Sequence, residues 1–464
     1  MNFLIAIVDG INTFLWDFLL LFLLCGTGIY FTFRLRFVQI RQFKKGIKAV
    51  FGNIRFRGDK ANADGMSSFQ SLATAIAAQV GTGNIAGAAT AIAMGGPGAI
   101  FWMWVSAFFG MATIFAEATL AQQFRTRAEG EITGGPVYYI KACFTGKFGR
   151  ILAGFFAVAI ILALGFMGNM VQANSIGASF KTAFGMEPLW VGVVVAAVAV
   201  FVFIGGAKRI SSVTEKVVPI MALFYIMGSL VILGVNYQQV PSAFQQIFVM
   251  AFNPQAIAGG VIGVTIQKAV RYGVARGLFS NEAGMGSTPH AHAMAKVKHP
   301  CDQGVVAIIG VFIDTFVVLT LTALVILTTG ALGSGKEGAA LAQHAFNSVF
   351  GSFGNIFIAI SMLFFAFSTI IGWYFFGEIN VRYLFGKKAV KIYAVLVAGA
   401  IVLGSTLDVS LVWNLSDMFN GLMVIPNLIG VLGLSGVVVT LYKRYQQGNH
   451  SPLEWQKTSG TNIK

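Results

Sequence analysis

Two long hydrophobic segments of this chain are each interrupted near the middle by glycine and polar residues. The first segment, 67–95, is broken at 79–84, and the second segment, 267–297, is broken at 280–286. A continuous membrane helix pairs its own backbone groups, whereas a break at bilayer depth is tolerated only where the backbone lines a protein cavity. Breaks at corresponding places in two halves of a membrane chain are typical of a transporter's substrate site.

The composition supports a membrane location for most of the chain. Hydrophobic residues make up 56% of the 464 residues, charged residues make up 11%, and the mean hydropathy is +0.76. A soluble domain carries about 25% charged residues. We therefore predict an all-α polytopic membrane protein that lies in the lipid bilayer.

The hydropathy pattern predicts about eleven transmembrane helices, each of about 20 residues. One peripheral N-terminal helix is followed by a basic amphipathic stretch and then by ten core helices, numbered 1 to 10 from here on. A short interfacial helix is also expected at 253–265, before core helix 6. The predicted spans are 11–33 for the N-terminal helix and 67–95, 98–122, 150–172, 188–206, 213–235, 267–297, 302–330, 353–379, 391–407 and 411–442 for the core helices.

The ten core helices divide into two halves of five, and each half begins with a broken helix. Five crossings separate the two breaks, so the halves have opposite orientations in the membrane, as in an inverted repeat. The division predicts four segments. They are 1–60 with the peripheral helix and the basic stretch, 61–240 as the first repeat, 241–442 as the second repeat, and 443–464 as a cytoplasmic tail.

The formal net charge of +15 follows the membrane topology and does not indicate a nucleic-acid partner. The predicted inside loops hold 27 of the 32 Lys and Arg residues, in agreement with the positive-inside rule. The pattern predicts an N-terminus outside and a C-terminus in the cytoplasm. Lys268, Arg271 and Arg276 are exceptions on the outer half of core helix 6, where one helical face could reach the outer surface. The three isolated cysteines predict neither a metal site nor a disulfide.

The first break offers binding groups of both signs. Gly81 and Gly83 allow backbone conformations that are closed to other residues. The inner half-helix ends near Gln79 with free C=O groups, which suit an ammonium group or a sodium ion. The outer half-helix begins near Asn84 with free N–H groups, which suit a carboxylate, and Thr82 adds a hydroxyl. An α-amino acid matches both ends; the alternative is that the glycines only allow close helix packing.

The second break contains an acidic residue at membrane depth, Glu282. Such a residue indicates a functional site; the alternative is a structural role in which its carboxylate accepts backbone N–H bonds of the unwound segment. Pro289 suits the first turn of the inner half-helix, and Ser287 or Thr288 is expected to cap it. Three further intramembrane acids, each a proton relay or a packing pair, are Glu117, Asp314 and Asp417.

Core helix 8 adds two neighbouring hydroxyls, Ser368 and Thr369, in an otherwise apolar segment. Oxygen ligands suit a hard cation, and Trp373, one turn beyond Thr369, could close a pocket and limit the size of a solute. The alternative is ordinary: the hydroxyls bond to carbonyls of their own helix and the indole packs at an interface. No metalloprotease, hydrolase or phosphate-binding motif is present, so we do not expect an enzyme.

The stretch 95–110, GGPGAIFWMWVSAFFG, resembles the signature of the alanine or glycine:cation symporter family. GTGNIAGAATAI from Gly81 and NEAGMGSTPHAHA from Asn281 are similar to that family too. The resemblance implies a bacterial or archaeal inner-membrane symporter with the inverted-repeat fold of the bacterial leucine transporter. It implies uptake of a small neutral amino acid, alanine or glycine, with sodium or in some cases protons, without a cofactor. We expect the chain to work as a monomeric unit.

The resemblance also implies residue roles, because 80–84 is similar to the V-G-x-G-N stretch that unwinds helix 1 in the neurotransmitter:sodium symporters. One sodium ion is expected among Ala77, Val80, Phe365, Ser368 and Thr369. The amino acid is expected among Gln79, Thr82, Gly83, Asn84, Phe279, Gly284, Thr369 and Trp373. A symporter of the same fold for another small solute, a channel and a membrane-embedded binding protein are the alternatives.

Overall fold

The computed structural model describes residues 2–52, 65–253 and 265–449. Nearly all of these residues lie in helices, and eight of the described helices are long and apolar enough to cross a membrane. The all-α membrane class is therefore confirmed, whereas the count of eleven spans and the four-segment division stay predictions. The interfacial helix expected at 253–265 lies, except for its two end residues, outside the described residues.

Core helix 1 is broken at the predicted place. Ser67 begins it with a capping box, in which Ser67 and Gln70 each accept the backbone N–H of the other. The inner half is Ser68–Gln79, and after the break a π-helical turn, Gly83–Gly87, leads into Ala88–Gly95. Core helices 2 to 5 are Gly98–Gln123, Gly146–Ile160 continued through the π-helical Ile161–Gly168 into Asn169–Phe184, Pro188–Phe203, and Gly206–Val235.

Core helix 6 is also broken, but its inner half begins differently from the prediction. The outer half, Ile266–Asn281, is followed by the non-helical stretch 282–288 and the short helix Pro289–Ala293. Neither predicted hydroxyl caps that helix, because Thr288 makes no side-chain cap bond and the Ser287 hydroxyl donates to Glu282. Core helices 7 to 10 are Pro300–Val311 continued through the π-helical Phe312–Leu319 into Thr320–Thr328, Phe353–Phe385, Ala389–Thr406, and Val409–Gly433.

A short β-hairpin follows core helix 2 and was not predicted. Strands β1 (Thr126–Ala128) and β2 (Glu131–Thr133) pair in an antiparallel ladder. Glu129 and Gly130, the two residues between them, both have positive φ values, as the tightest hairpin turns require. The elements outside the core and this hairpin are Asn2–Phe14, Leu15–Leu19, Leu20–Arg34, Val38–Arg41, Phe43–Phe51, Pro136–Cys143, Tyr237–Gln239, Val240–Phe252, Ala331–Ser334, Gly338–Phe350 and Ser435–Gln446.

The distribution of polar and apolar side chains is that of a chain solvated by lipid. Large apolar side chains such as Phe201, Leu223 and Val395 are more than half exposed on the outer faces of core helices 4, 5 and 9. The polar residues Gln79 and Asp314, in contrast, are buried in the interior. Polar groups in a membrane protein face the bundle interior unless they line water, so the functional groups are to be sought inside, at the two breaks.

The inner ends of the two broken helices are joined. The Met66 N–H donates to the Met294 carbonyl at 2.8 Å, and the Lys296 N–H donates to the Met66 carbonyl at 2.9 Å. Gln122 of core helix 2 donates to the Ala295 carbonyl at 2.9 Å. These bonds tie core helices 1, 2 and 6 into one unit on the side predicted to face the cytoplasm.

Candidate functional site

Asn84 connects the first break to core helix 7. Its Oδ1 accepts the Gly81 N–H at 2.9 Å, which stabilises the turn of the unwound backbone. Its Nδ2 donates to Asp314 Oδ1 at 2.6 Å. The amide predicted at the start of the outer half-helix is therefore fixed from both ends.

Asp314 joins the two breaks to each other. It also accepts the Ser280 hydroxyl at 2.8 Å and the Thr315 hydroxyl at 2.8 Å, and its side chain is fully buried. No ion pair among the described residues involves this carboxylate. A buried carboxylate is strongly disfavoured unless a cation or a proton neutralises it, so Asp314 is a position where either one can act.

Four of the five residues predicted to bind a cation come together. The Thr369 hydroxyl lies 2.9 Å from the Ala77 carbonyl and 3.0 Å from the Phe365 carbonyl, and its single hydrogen can be donated to either one. The Ser368 hydroxyl contacts the same two carbonyls, at 3.3 Å and 2.9 Å. Bonding to the helix's own Phe365 carbonyl is the structural alternative, and it occurs alongside the contact to Ala77. These bonds do not include the Val80 carbonyl.

The chemistry of this oxygen cluster fits a monovalent hard cation. The atoms that could coordinate an ion are two hydroxyl oxygens and two backbone carbonyl oxygens, which are neutral oxygen ligands of the kind that such ions prefer. Ser368 and Thr369 are at most 1% exposed, so the cluster is shielded from bulk solvent. A sodium ion would be coordinated by the same hydroxyl and carbonyl oxygens that are hydrogen-bonded to each other in this structure.

Several buried polar atoms at the first break have no hydrogen-bond partner in the described structure. They are Gln79 Oε1, Thr82 Oγ1 and Gln172 Nε2. The other ends of the two amides are engaged: Gln172 Oε1 accepts the Thr82 N–H at 3.1 Å, and Gln79 Nε2 donates to the Asn281 carbonyl at 2.7 Å. Because buried polar groups are normally paired, these three unpaired atoms are candidates for contact with a polar ligand. Sequence reasoning missed Gln172.

The glycines of the first break also serve close packing, which was the alternative interpretation. A Cβ atom at Gly81 would collide with the Thr369 hydroxyl and stand 3.1 Å from Gln172 Oε1. A Cβ atom at Gly83 would stand 3.0 Å from Ser280. Close packing and a binding role coincide here, because the elements that approach the glycines carry the polar groups.

Glu117 of core helix 2 stabilises the second break. Its two carboxylate oxygens accept the Gly284 N–H at 2.9 Å and the Gly286 N–H at 3.0 Å, and Asn427 Nδ2 donates to it at 2.6 Å. The acceptance of backbone N–H bonds, considered for Glu282 from sequence, thus belongs to Glu117. Glu282 instead accepts the Trp373 indole N–H and the Ser287 hydroxyl.

The remaining predicted substrate residues lie in two different places. Phe279 packs edge-on against Trp373, with ring centroids 5.5 Å apart, near the second break. A Cβ atom at Gly284, in contrast, would meet Leu24 at 2.9 Å and Leu428 at 3.4 Å. The structure therefore does not bring Gly284 together with the residues of the first break, because this glycine faces the N-terminal helix and core helix 10.

Asp417 forms a packing pair on the side predicted to face outward. Arg276 donates to both of its oxygens at 2.7 Å and lies 4.5 Å from the Trp413 ring. The expectation that Arg276 reaches the outer surface is wrong, because its side chain is 8% exposed and ion-paired. Arg271 is half-buried and pairs with Asp17 of the N-terminal helix at 2.9 Å. A cavity of ≈ 640 Å³ lies over this region and leads toward Ala86 of core helix 1.

Two broken membrane helices whose buried polar groups meet at the breaks define a transporter of the inverted-repeat class. Among solved structures, a complex of MhsT with L-phenylalanine matches 85% of this chain and 100% of that chain, with a TM-score of 0.58 at 13% sequence identity. At this identity the likeness shows the fold, which is that of the bacterial leucine transporter.

The chain belongs to the sodium:alanine symporter family, whose model matches residues 1–458. It is 44% identical over 449 residues to the sodium/alanine symporter AgcS of Methanococcus maripaludis, covering 96% of this chain and 97% of that protein. It is 42% identical over 441 residues to the probable sodium/glutamine symporter GlnT of Bacillus subtilis, covering 95% and 90%. The family resemblance inferred from the sequence is confirmed.

Proposed function

We propose that this chain is a secondary active symporter that couples uptake of a small neutral amino acid, alanine or glycine, to sodium. One observation carries the proposal: the hydroxyls of Ser368 and Thr369 share the Ala77 carbonyl, while the unpaired atoms of Thr82 and Gln172 lie at the same break. A cation site and a zwitterion site are thereby adjacent. Family membership and the names of the relatives support the same function.

The amino acid would lie across the first break. Its carboxylate would approach the N–H groups at the start of the outer half-helix, near Gly83 and Asn84, where the helix dipole is positive. Its ammonium group would approach carbonyl oxygens at the end of the inner half-helix, near Gln79. Phe279 and Trp373 would border the side chain of the substrate, which favours a small one.

The buried polar contacts divide the core helices into two sets, and two sets that can move against each other suit alternating access. Core helices 1, 2, 6 and 7 are tied together by buried bonds such as Asn84 to Asp314 and Glu117 to Gly284. The predicted site residues of core helix 8 and Gln172 of core helix 3 belong to the other set of helices. A substrate or ion between the two sets binds best when both sets close on it, so it stabilises the closed state. Rocking of the first set then opens the site to either side.

Sodium coupling would supply enough driving force for accumulation. One charge moving through a potential of about 100 mV contributes about 2.3 kcal/mol. At about 1.4 kcal/mol per tenfold change, this potential alone supports roughly 50-fold accumulation of a neutral zwitterion. A sodium concentration gradient adds to that ratio.

Protons are the second candidate for the coupling ion, and Asp314 is the observation that favours them. This carboxylate is fully buried and bonds to Asn84 and Ser280 at the two breaks. Protonation there would change the charge beside the proposed carboxylate site. Uptake driven by a pH gradient in sodium-free buffer would distinguish protons from sodium.

The test is uptake of labelled alanine by purified protein in liposomes. We expect concentrative, saturable uptake with an inward sodium gradient and none when choline replaces sodium. Equal alanine uptake with and without a sodium gradient and a proton gradient would refute the coupling of uptake to either ion. Counterflow by internal unlabelled alanine excludes a channel and a binding protein without flux, and competition by a panel that includes glycine, glutamine and leucine identifies the substrate class.

The same proposal includes a location and an orientation. The chain would reside in the inner or plasma membrane as a monomeric unit, with the N-terminus outside and the C-terminus in the cytoplasm. The concentration of Lys and Arg in alternate loops supports this orientation. Reporter fusions at the two termini, one active only in the cytoplasm and one active only outside, would test it.

A further inference from the structure

Glu282 has a backbone conformation that is uncommon for its residue type. Its φ of 58° and ψ of 12° place it in the left-handed region, which non-glycine residues seldom occupy. Gly284 and Gly286 also have positive φ values in the same stretch, and there glycine meets the requirement without strain. A glutamate in this position therefore needs an explanation in the contacts of its side chain.

Both carboxylate oxygens of Glu282 are used, and each has a side-chain donor. The Trp373 indole N–H donates to Oε1 at 2.5 Å, and the Ser287 hydroxyl donates to Oε2. Glu282 and Trp373 are at most 1% exposed. No ion pair among the described residues involves Glu282, so its recorded polar partners are these two donors.

The Trp373 ring has little freedom where Glu282 holds it. A Cβ atom at Gly168 would stand 2.5 Å from the ring, so core helix 3 lies directly against the indole. Phe279 contacts the ring from another side at a centroid distance of 5.5 Å. Trp373 also lies one turn beyond Thr369, whose hydroxyl contacts the Ala77 carbonyl just before the first break.

We infer that Glu282 is a positioning residue: it orients the Trp373 indole and thereby sets the largest substrate side chain that the site accepts. The inference rests on the proposed amino-acid site and adds the group that determines its size limit. The bond runs from the unwound part of core helix 6 to core helix 8. An indole held by Glu282 as well as by this packing excludes branched side chains, whereas an indole held by packing alone can shift far enough to admit them.

The experiment compares alanine and leucine transport in liposomes for three variants. Glu282→Ala removes the acceptor, and Trp373→Phe keeps a ring but removes the donor. For both we expect the alanine-to-leucine ratio of kcat/KM to fall about tenfold, equivalent to about 1.4 kcal/mol. Glu282→Gln keeps an acceptor oxygen and should restore most of the ratio. Trp190→Phe, a change at an indole 65% exposed on core helix 4, is the matched control and should leave the ratio unchanged.

A second readout does not depend on transport. In protein labelled with 5-fluorotryptophan, the fluorine NMR signal that disappears in Trp373→Phe identifies Trp373. We expect Glu282→Ala to shift that signal and to leave the signal of Trp190 in place. Should Glu282→Ala fail to fold, Glu282→Gln supplies the fluorine measurement, because a neutral amide oxygen is a weaker acceptor than a carboxylate and should shift the Trp373 signal by a smaller amount. Trp373→Phe then supplies the transport measurement.

The outcomes separate this inference from the proposed function. If the wild-type protein transports no amino acid, the proposed function fails, and an unchanged fluorine signal would then overturn the Glu282 contact separately. If alanine uptake is normal but the variants keep the wild-type ratio, the inference alone is overturned. An equal change in turnover for alanine and leucine would mean that the bond locks moving helices, which also contradicts a positioning role.

Discussion

The two breaks solve the same physical problem in different ways. Unwinding a membrane helix frees backbone groups that lipid cannot pair. At the second break, the protein pairs them itself, since Glu117 accepts the N–H groups of Gly284 and Gly286. At the first break, Thr82 and Gln172 keep side-chain atoms without a partner in the described structure. Side chains also pair the Gly81 and Thr82 N–H groups of the first break. The breaks therefore differ in their side-chain atoms: the proposed site would use the unpaired atoms of the first, open break, whereas Glu117 is fully engaged at the second, completed break.

The largest effect is expected at the completed break. Glu117→Ala leaves two buried N–H groups unpaired, each at a cost of about 1–3 kcal/mol. We expect a loss of about 2–6 kcal/mol of stability, measured as a lower midpoint of thermal unfolding in detergent. Glu187→Ala, a change at an exposed glutamate before core helix 4, should leave the midpoint unchanged. A stable Glu117→Ala protein would show that this break does not depend on the carboxylate.

The next largest effect is expected for transport at the open break. Asn84→Ala removes the contact to Asp314 and the contact that fixes the Gly81 N–H. We expect alanine uptake to fall by roughly 100-fold, equivalent to about 2.7 kcal/mol. Initial rates of alanine uptake in liposomes measure this loss. Asn236→Ala, at the end of core helix 5, is the control and should leave the rate unchanged. Full activity would remove Asn84 from the proposed site.

A pair of glycines in core helix 1 sharpens the comparison further. An alanine at position 81 would press against Thr369 and Gln172, whereas a Cβ atom at Gly87 meets only the Thr82 carbonyl, at 3.8 Å. Overpacking costs about 1–3 kcal/mol, so we expect Gly81→Ala to raise the sodium concentration for half-maximal uptake about 10-fold or more. Gly87→Ala should behave like wild type. Equal effects of Gly81→Ala and Gly87→Ala would mean that an added methyl group anywhere in core helix 1 impairs uptake, and that the contact to Thr369 is not the cause.

The smallest effect distinguishes two buried hydroxyls without partners. Thr82 lies at the first break and Thr288 at the second. Thr82→Val should raise the KM for alanine about tenfold without lowering stability, because its hydroxyl has no partner in the described structure and would pair with the substrate in the proposed site. Thr288→Val should leave the KM unchanged. The comparison of the two breaks is refuted if both variants lose affinity equally.

The positions of the breaks were predictable because glycines and amides interrupt an apolar run in both segments. The partners of these residues were not predictable from one sequence. Asp314 and Gln172 each lie in an apolar helix more than 80 residues from the first break, and only the packing of core helices 7 and 3 brings them to it. An isolated amide or acid in an apolar helix was the available signal, and for Gln172 it was not used.

Local backbone conformation explains two other differences between prediction and structure, and a distant ion-pair partner explains a third. The hairpin β1–β2 depends on Glu129 and Gly130 both adopting positive φ values, and a glutamate gives little indication of this. Gly284 matched a family pattern in sequence, but its φ of 93° turns that part of the chain toward Leu24. Arg276 was expected at the surface because it shares a helical face with Lys268 and Arg271. Its ion-pair partner Asp417 is 141 residues away in sequence, and one sequence does not reveal that pairing.

Because of the π-helical segments, the positions of the site residues depend on the number of residues in each helix. Gly83–Gly87, Ile161–Gly168 and Phe312–Leu319 lie at the first break, before Asn169 and around Asp314. Each π turn accommodates an extra residue within a helix. Deleting one residue there would let the segment close as α, which keeps the helix ends outside it nearly in phase and shifts the residues inside it around the helix axis. Because Asp314 lies inside Phe312–Leu319, a single-codon deletion there would displace it from Asn84, although every remaining residue keeps its chemistry.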